Sequence, residues 1–231
     1  MQNAMSKQKS SLIENLAHDL KSPIYSQINA LNLLLDDKSF NVTNTQRELL
    51  SDLLASNMYM KDMVLNILLG FRLKCENFNL DIVPHNFHQT LNSVIKSIKH
   101  VNNSHKISVI SDTDYICAEY DDTQIKRVLS NLLTNACKHS TLNSEIKIVC
   151  EQNMGDLVVK IINDGHIDFE QTDDIFKPYK TNAKTEALCG SGLGLYISKQ
   201  IIEHHGGQIN ALNNGSEVCV TFKIPIISKR I

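Results

Sequence analysis

The 231-residue sequence has no excess of basic residues, no cysteines at metal-ligand spacing and no apolar run near the roughly 20 residues that a membrane helix needs. Its net charge of -2, from 23 Lys and Arg against 25 Asp and Glu, argues against a nucleic-acid partner. Six cysteines (Cys75, Cys117, Cys137, Cys150, Cys189 and Cys219) lie scattered without a CxxC pair. Free thiols in a reducing, cytoplasmic setting follow, rather than a disulfide framework or a zinc site. The N-terminus carries no signal-peptide h-region, so membrane association is expected only through a segment that these residues do not include. Internal repeats and low-complexity tracts are also lacking. What remains, at 42% hydrophobic and 21% charged, is an ordinary globular composition, long enough for two domains that each bury a core.

The two halves differ in texture. From Ser6 to about Asp36, Leu16, Leu20, Ile24, Ile28, Leu31 and Leu35 recur at steps of three and four, one stripe of an amphipathic helix. The polar stretch "DDKSFNVTNTQ" interrupts the pattern, with Thr43 or Thr45 as a cap. A second helix follows from about Gln46 to Lys74, its stripe running through Leu49, Leu53, Met60, Met63, Ile67 and Phe71. A hairpin of two such helices cannot bury both stripes alone; a dimeric four-helix bundle would, and so would packing of the hairpin on the rest of its own chain, which periodicity does not distinguish. After Phe78, "KISVIS", "YICAEY", "EIKIVCEQ" and "DLVVKIIN" read as strands, and "HQTLNSVIKSIKHV", "DTQIKRVLSNLLTNACKH" and "LGLYISKQIIEHH" as helices. Pro84 makes the joining stretch extended. The expected fold class is α plus α/β: a helical hairpin over residues 1–76, then an α/β sandwich over 77–231.

Several residues carry chemistry. On the helix of "DTQIKRVLSNLLTNACKHS", Asn131 and Asn135 stand at i and i+4, with Lys138 three residues further on the same side. Amide oxygens suit a hard cation such as Mg²⁺, and an ammonium suits the phosphates that accompany it. "GSGLGL" at Gly190 to Leu195 opens a helix where backbone N–H groups can approach phosphate. Between them lie "IINDGHID" and a lysine-bearing stretch, 177–189, read as a lid over a nucleotide. Each motif alone is also compatible with a solvated helix face, a tight turn or a surface loop.

Their order is more specific. The series "HDLKSP", "NLLTNACKHS", "NDGHID", "DIFKPYK" and "GSGLGL" resembles the H, N, G1, F and G2 boxes of the sensor histidine kinases of two-component systems, over nearly the whole chain. That resemblance implies a dimerisation and histidine-phosphotransfer hairpin followed by a sandwich of the GHKL ATPase type. It implies ATP and Mg²⁺ as cofactors, a homodimer, and a response regulator receiver domain as partner. His18 would be the phosphorylated residue and Asp19 the acid that orients its ring and takes its proton. Ser22 stands where the family's Thr or Asn orients water for dephosphorylation of the regulator. ATP would be held by Asn131, Asn135, Lys138, Asn163, Gly165, Lys180, Gly190, Gly192, Leu193 and Gly194, and Mg²⁺ by Asn131 and Asn135.

The sequence departs from the family pattern at three places. Asp19 replaces the usual Glu, Asn163 the adenine-binding aspartate, and Ile167 the second glycine of the G1 box. The last two motivate an alternative, a phosphotransfer or scaffold protein with a degenerate nucleotide domain. Asp164 could stand in for Asn163 only if the turn shifted by one residue, and the alternation of "VVKIIN" favours Asn163. His85, His88, His204 and His205 read as surface histidines, and Phe176 and Tyr179 as packing beneath the lid. Pro23 lacks the N–H that would bond the Asp19 carbonyl, which predicts a kink beside His18.

Overall fold

The computed structural model describes residues 2–37, 39–74, 78–101, 105–167, 172–180 and 192–226, with the backbone alone at 2–18, 100–101 and 172–173. The chain divides into two compact units, Met1–Phe78 and Asn79–Ile231.

The first unit is a hairpin of α1 (Gln2–Asp36) and α2 (Asn44–Leu73). Thr43, rather than Thr45, is the cap of α2. Its hydroxyl accepts from the Gln46 N–H at 3.3 Å while the Gln46 side chain accepts from the Thr43 N–H at 2.9 Å, so the start of α2 is closed reciprocally. Arg47 ties the hairpin by donating to the Leu35 carbonyl at 2.8 Å. α1 runs from Gln2 to Asp36 as one helix with Pro23 inside it.

Ile24, Ile28, Leu68, Leu69 and Leu73 are buried. The stripe read along α2 from the sequence is largely open: Leu49, Leu53, Met60 and Phe71 are 60%, 53%, 44% and 54% exposed. The packed face of α2 is thus rotated from the stripe that periodicity selects.

In the second unit β1 (Val83–Asn86) pairs antiparallel with β3 (Cys117–Tyr120), so Pro84 sits in a two-stranded edge ribbon that tolerates its missing N–H. The main sheet has the order β2-β4-β5-β7-β6, from β2 (Lys106–Ser111), β4 (Glu145–Asn153), β5 (Asp156–Asp164), β7 (Glu217–Pro225) and β6 (Gln208–Asn214). Only β2 with β4 is parallel. α3 (Phe87–Val101), α4 (Asp122–His139) and α5 (Gly194–His204) pack beside one another, with α4 in the middle and against β5.

β5 shows the alternation that builds this layer: Leu157, Val159, Ile161 and Asn163 are buried, and the residues between them are half-buried. The stripe ends in an amide, which places one polar group at the rim of an apolar core. Among the described cysteines, Cys117, Cys137, Cys150 and Cys219 are free thiols, and burial pushes the Cys150 thiol up to about 12. Cys75 and Cys189 lie outside the described residues.

Candidate functional site

α4 is started by Asp121, whose carboxylate accepts from the Gln124 N–H at 3.1 Å, and its apolar face buries Ile125, Val128, Leu129, Leu132, Leu133 and Ala136. That leaves Asn131 and Asn135 half-buried and Lys138 exposed. The Asn131 Nδ2 donates to the Gly194 carbonyl at 3.2 Å and to the Ser198 hydroxyl at 3.4 Å. The Asn131 amide lies against Gly194, where a Cβ would stand in ordinary contact with it at 3.6 Å. The Asn helix and the glycine-rich helix start therefore form one site.

Its second wall is the end of β5. Asn163 is 5% exposed, and its Nδ2 donates to the Asp164 carbonyl at 2.7 Å. With the nitrogen committed to the backbone, the amide oxygen is the group left to accept. Asp164 faces away from this wall: its carboxylate accepts from the Thr141 N–H at 3.2 Å and the Ser144 hydroxyl at 2.7 Å. The Thr141 bond, with Ser144 and Ser140, holds Asp164 below the usual carboxylate range. Asp164 thus fastens the α4–β4 loop and is not available in place of Asn163.

Gly165 has φ +143°, and a Cβ on it would lie 3.1 Å from the His139 carbonyl, so the turn passes close under the end of α4. Ile167, where a second glycine was expected, turns its side chain into the core at 9% exposure. Its N–H and carbonyl both pair with the Asn213 side chain of β6, at 2.9 and 3.1 Å. A large residue is accommodated by an inward turn that a side-chain amide holds in place.

The third wall joins Lys180 to Gly192. The Tyr179 N–H donates to the Gly192 carbonyl at 3.0 Å, and a Cβ on Gly192 would meet the Tyr179 backbone at 2.9 Å. Phe176 is buried, as expected, and the Lys199 ammonium lies 5.9 Å from its ring centroid. Tyr179 differs from its reading as a packing residue: it is 68% exposed and adopts φ +62°. Leu193 is buried and supplies no capping side chain to α5, so nothing from that residue competes for the N–H groups of the first turn. Gly190 and most of the stretch read as a lid lie outside the described residues.

These donors fit a magnesium nucleotide better than a bare ion. No cluster of three or more His, Cys, Asp or Glu able to hold a metal exists among the described residues. Asn131 and Asn135 offer only neutral oxygens, the arrangement in which Mg²⁺ takes most of its ligands from phosphate and water. The Asn163 oxygen fits an amino group on a base, and the glycine turn fits phosphate.

In the first unit, His18 and Ser22 are one helical turn apart on α1, with Asp19, Ser22 and Pro23 exposed. The Ser26 hydroxyl donates to the Ser22 carbonyl at 3.0 Å. Sequence reasoning missed Ser198 and Asn213, and it misread His205, which is buried. The His205 Nδ1 lies 2.7 Å from the Ile201 carbonyl, and its Nε2 accepts from the Asp121 N–H at 3.1 Å. Ser198 had one usable signal, a helical turn of spacing from Gly194. Asn213 had none, since its partner Ile167 is 46 residues away.

Residues 8–74 match the His Kinase A (phospho-acceptor) domain, and residues 120–227 the histidine kinase-, DNA gyrase B- and HSP90-like ATPase. The catalytic domain of the histidine kinase ThkA is 31% identical, covered over 96% of its length by 63% of this chain, with a TM-score of 0.58. The chain belongs to the sensor histidine kinases. The sensor protein KdpD of Clostridium acetobutylicum is 28% identical over 221 residues, which are 94% of this chain and 25% of KdpD. The chain thus spans a quarter of that relative's length. ThkA in complex with the response regulator protein TrrA is 26% identical over 96% of this chain and 63% of that one, at a TM-score of 0.63. Full-length ShkA in complex with AMPPNP shares the fold, with a TM-score of 0.77 at 19% identity, over 94% of this chain and 46% of that one. No helix among the described residues is long and apolar enough to cross a membrane.

Proposed function

We propose that this chain is an ATP-dependent protein histidine kinase that phosphorylates itself on His18 and passes the phosphoryl group to an aspartate of a response regulator. The observation that carries the reading is the bond from Asn131 to Gly194, which joins a cation-suited amide pair and a phosphate-suited glycine turn in one site. Residues 1–76 serve as the dimerisation and phosphotransfer hairpin, and 77–231 as the catalytic domain. The setting is cytoplasmic.

In this reading the Asn163 oxygen accepts from the adenine amino group, and Gly165 admits the base beside it. Lys138, Lys180 and the backbone N–H groups of Gly190, Gly192, Leu193 and Gly194 hold the phosphates. The amide oxygens of Asn131 and Asn135 hold Mg²⁺, which when bound neutralises charge on the phosphoryl oxygens. A neutral imidazole nitrogen of His18 attacks the γ-phosphorus in line. The N–P bond forms as the bond to the bridging oxygen breaks, ADP leaves with that electron pair, and Asp19 takes the ring proton. The solved complex of ThkA with TrrA supports a receiver domain as the next acceptor. Ser22, exposed one turn after His18, can present its hydroxyl to water for the reverse, dephosphorylating activity toward the regulator.

Titration of ATP into the chain by calorimetry, with Mg²⁺ and with EDTA, tests this reading. Binding that Mg²⁺ strengthens is the expected result. Absence of ATP binding, with His18 labelled instead by a phosphorylated receiver domain, would establish the other reading, a phosphotransfer protein with a degenerate second domain. Asn163 and Ile167 are the residues that favour it.

A further inference from the structure

Ser198 is a hydroxyl in a place that packing alone would give to an apolar side chain. It is 0% exposed on the inner face of α5, between the fully buried Ile197 and Ile201. It carries one proton, and the structure spends that proton on the Gly194 carbonyl one turn back, at 3.0 Å. Toward Asn131 the hydroxyl can therefore act only as an acceptor. The group it meets there is Nδ2, at 3.4 Å, whose other proton reaches the Gly194 carbonyl at 3.2 Å.

The three groups close a triangle with a definite polarity. Turning the Asn131 amide over would set its oxygen against the Gly194 carbonyl, two acceptors facing each other. The Ser198 proton could relieve that only by abandoning Gly194. One orientation of the amide is thus selected, with Nδ2 inward on α5 and Oδ1 on the side away from it. Asn135, one turn further along α4, has no partner of this kind on α5 among the described hydrogen bonds.

We propose that Ser198 is a positioning residue for the cation: it fixes the Asn131 amide so that an oxygen, never the NH₂ group, faces the metal of the bound nucleotide. This rests on the reading of the site as a Mg²⁺–ATP site. Asn131 would touch the metal, and Ser198 would act only through Asn131.

The readout is the ratio of ATP affinity in Mg²⁺ to that in EDTA, taken by calorimetry on the full chain. Because each protein is its own reference, general loosening of the fold cancels. In Ser198→Ala this Mg²⁺-dependent gain falls by about threefold to tenfold, the range of one hydrogen bond, while affinity in EDTA stays within about twofold. Ser198→Thr keeps the hydroxyl and retains the gain, even where the added methyl lowers thermal stability. In an Asn131→Ala background, Ser198→Ala changes the gain no further. Equal losses in Mg²⁺ and EDTA would make Ser198 a structural residue and overturn the proposal, as would an unchanged gain in Ser198→Ala. A wild-type chain that binds ATP with no gain from Mg²⁺ would refute the cation reading and this inference with it. A wild-type chain that does not bind ATP at all would refute the function proposed above, a failure visible before any variant is made.

Discussion

Gly192 meets two demands that only glycine satisfies together. Its φ of +65° is a conformation that a side chain strains, and the space where a Cβ would sit is 2.9 Å from the Tyr179 backbone. The contact is backbone against backbone, so no rotamer change relieves it. Gly192→Ala should therefore break the 3.0 Å bond from the Tyr179 N–H and separate the two chain segments that it joins. We expect a loss of about 1–3 kcal/mol in the stability of the second unit, read from urea denaturation, and a weaker affinity for ATP. The Tyr179 amide should also lose protection from hydrogen exchange. A variant of unchanged stability would mean that the turn rearranges without cost. Asn163 illustrates what the residue scale hides from sequence. Its identity and inward position follow from the alternation along β5, but the direction of its amide depends on the Asp164 carbonyl, which no spacing rule specifies.

At the scale of elements, α5 is pinned to α4 at both of its own ends. Asn131 and Gly194 join them at the site, and at the far end His205, just past α5, accepts from the N–H of Asp121, the N-cap of α4. Nδ1 donates to the Ile201 carbonyl, so the ring is satisfied as the neutral tautomer. Burial holds His205 below its ordinary value of 6.5, against the Ile201 bond and the Asp121 charge, which favour the proton, while His204 adds to the lowering. With the folded pKa depressed, the unfolded chain takes up a proton first as pH falls. This stability is therefore full above pH about 6.5 and is lost as pH drops below it toward the lowered folded value. Urea midpoints at pH 7.5 and pH 5.5 should differ more for the wild type than for His205→Gln. Desolvation and the neighbouring Lys138 charge also lower His139, which is exposed, so it shifts stability weakly in the same direction and the slope shrinks without vanishing. An identical slope in the variant would remove His205 from this account.

Helices and strands were legible because each repeats a period: β5 alternates and α4 repeats every three to four residues, while the cap of α2 was narrowed only to Thr43 or Thr45. The features that escaped are those set by distant partners. The Ser198 hydroxyl gains its role from Asn131, 67 residues away, and Asn213 gains its role from Ile167. His205 resembles a surface histidine at a helix end until Asp121 is placed against it.

At the scale of the whole molecule, the open stripe on α2 calls for a cover. Leu49, Leu53, Met60 and Phe71 share that face, and one hairpin leaves them in water. A second copy packing there would form a four-helix bundle and bury them. We expect the chain to sediment as a dimer and Leu49→Glu with Leu53→Glu to sediment as a monomer that still binds ATP. A wild-type monomer at micromolar concentration would contradict the bundle. The same sequence periodicity that named this stripe did not reveal that the intramolecular face lies beside it, because two apolar faces on one helix merge into a single pattern.

The central claim is that His18 receives the phosphoryl group of ATP. Incubating the chain with γ-labelled ATP and Mg²⁺ tests it most directly: the label should be labile to acid, stable to alkali, and absent from His18→Gln. Label that persists in His18→Gln would contradict the account.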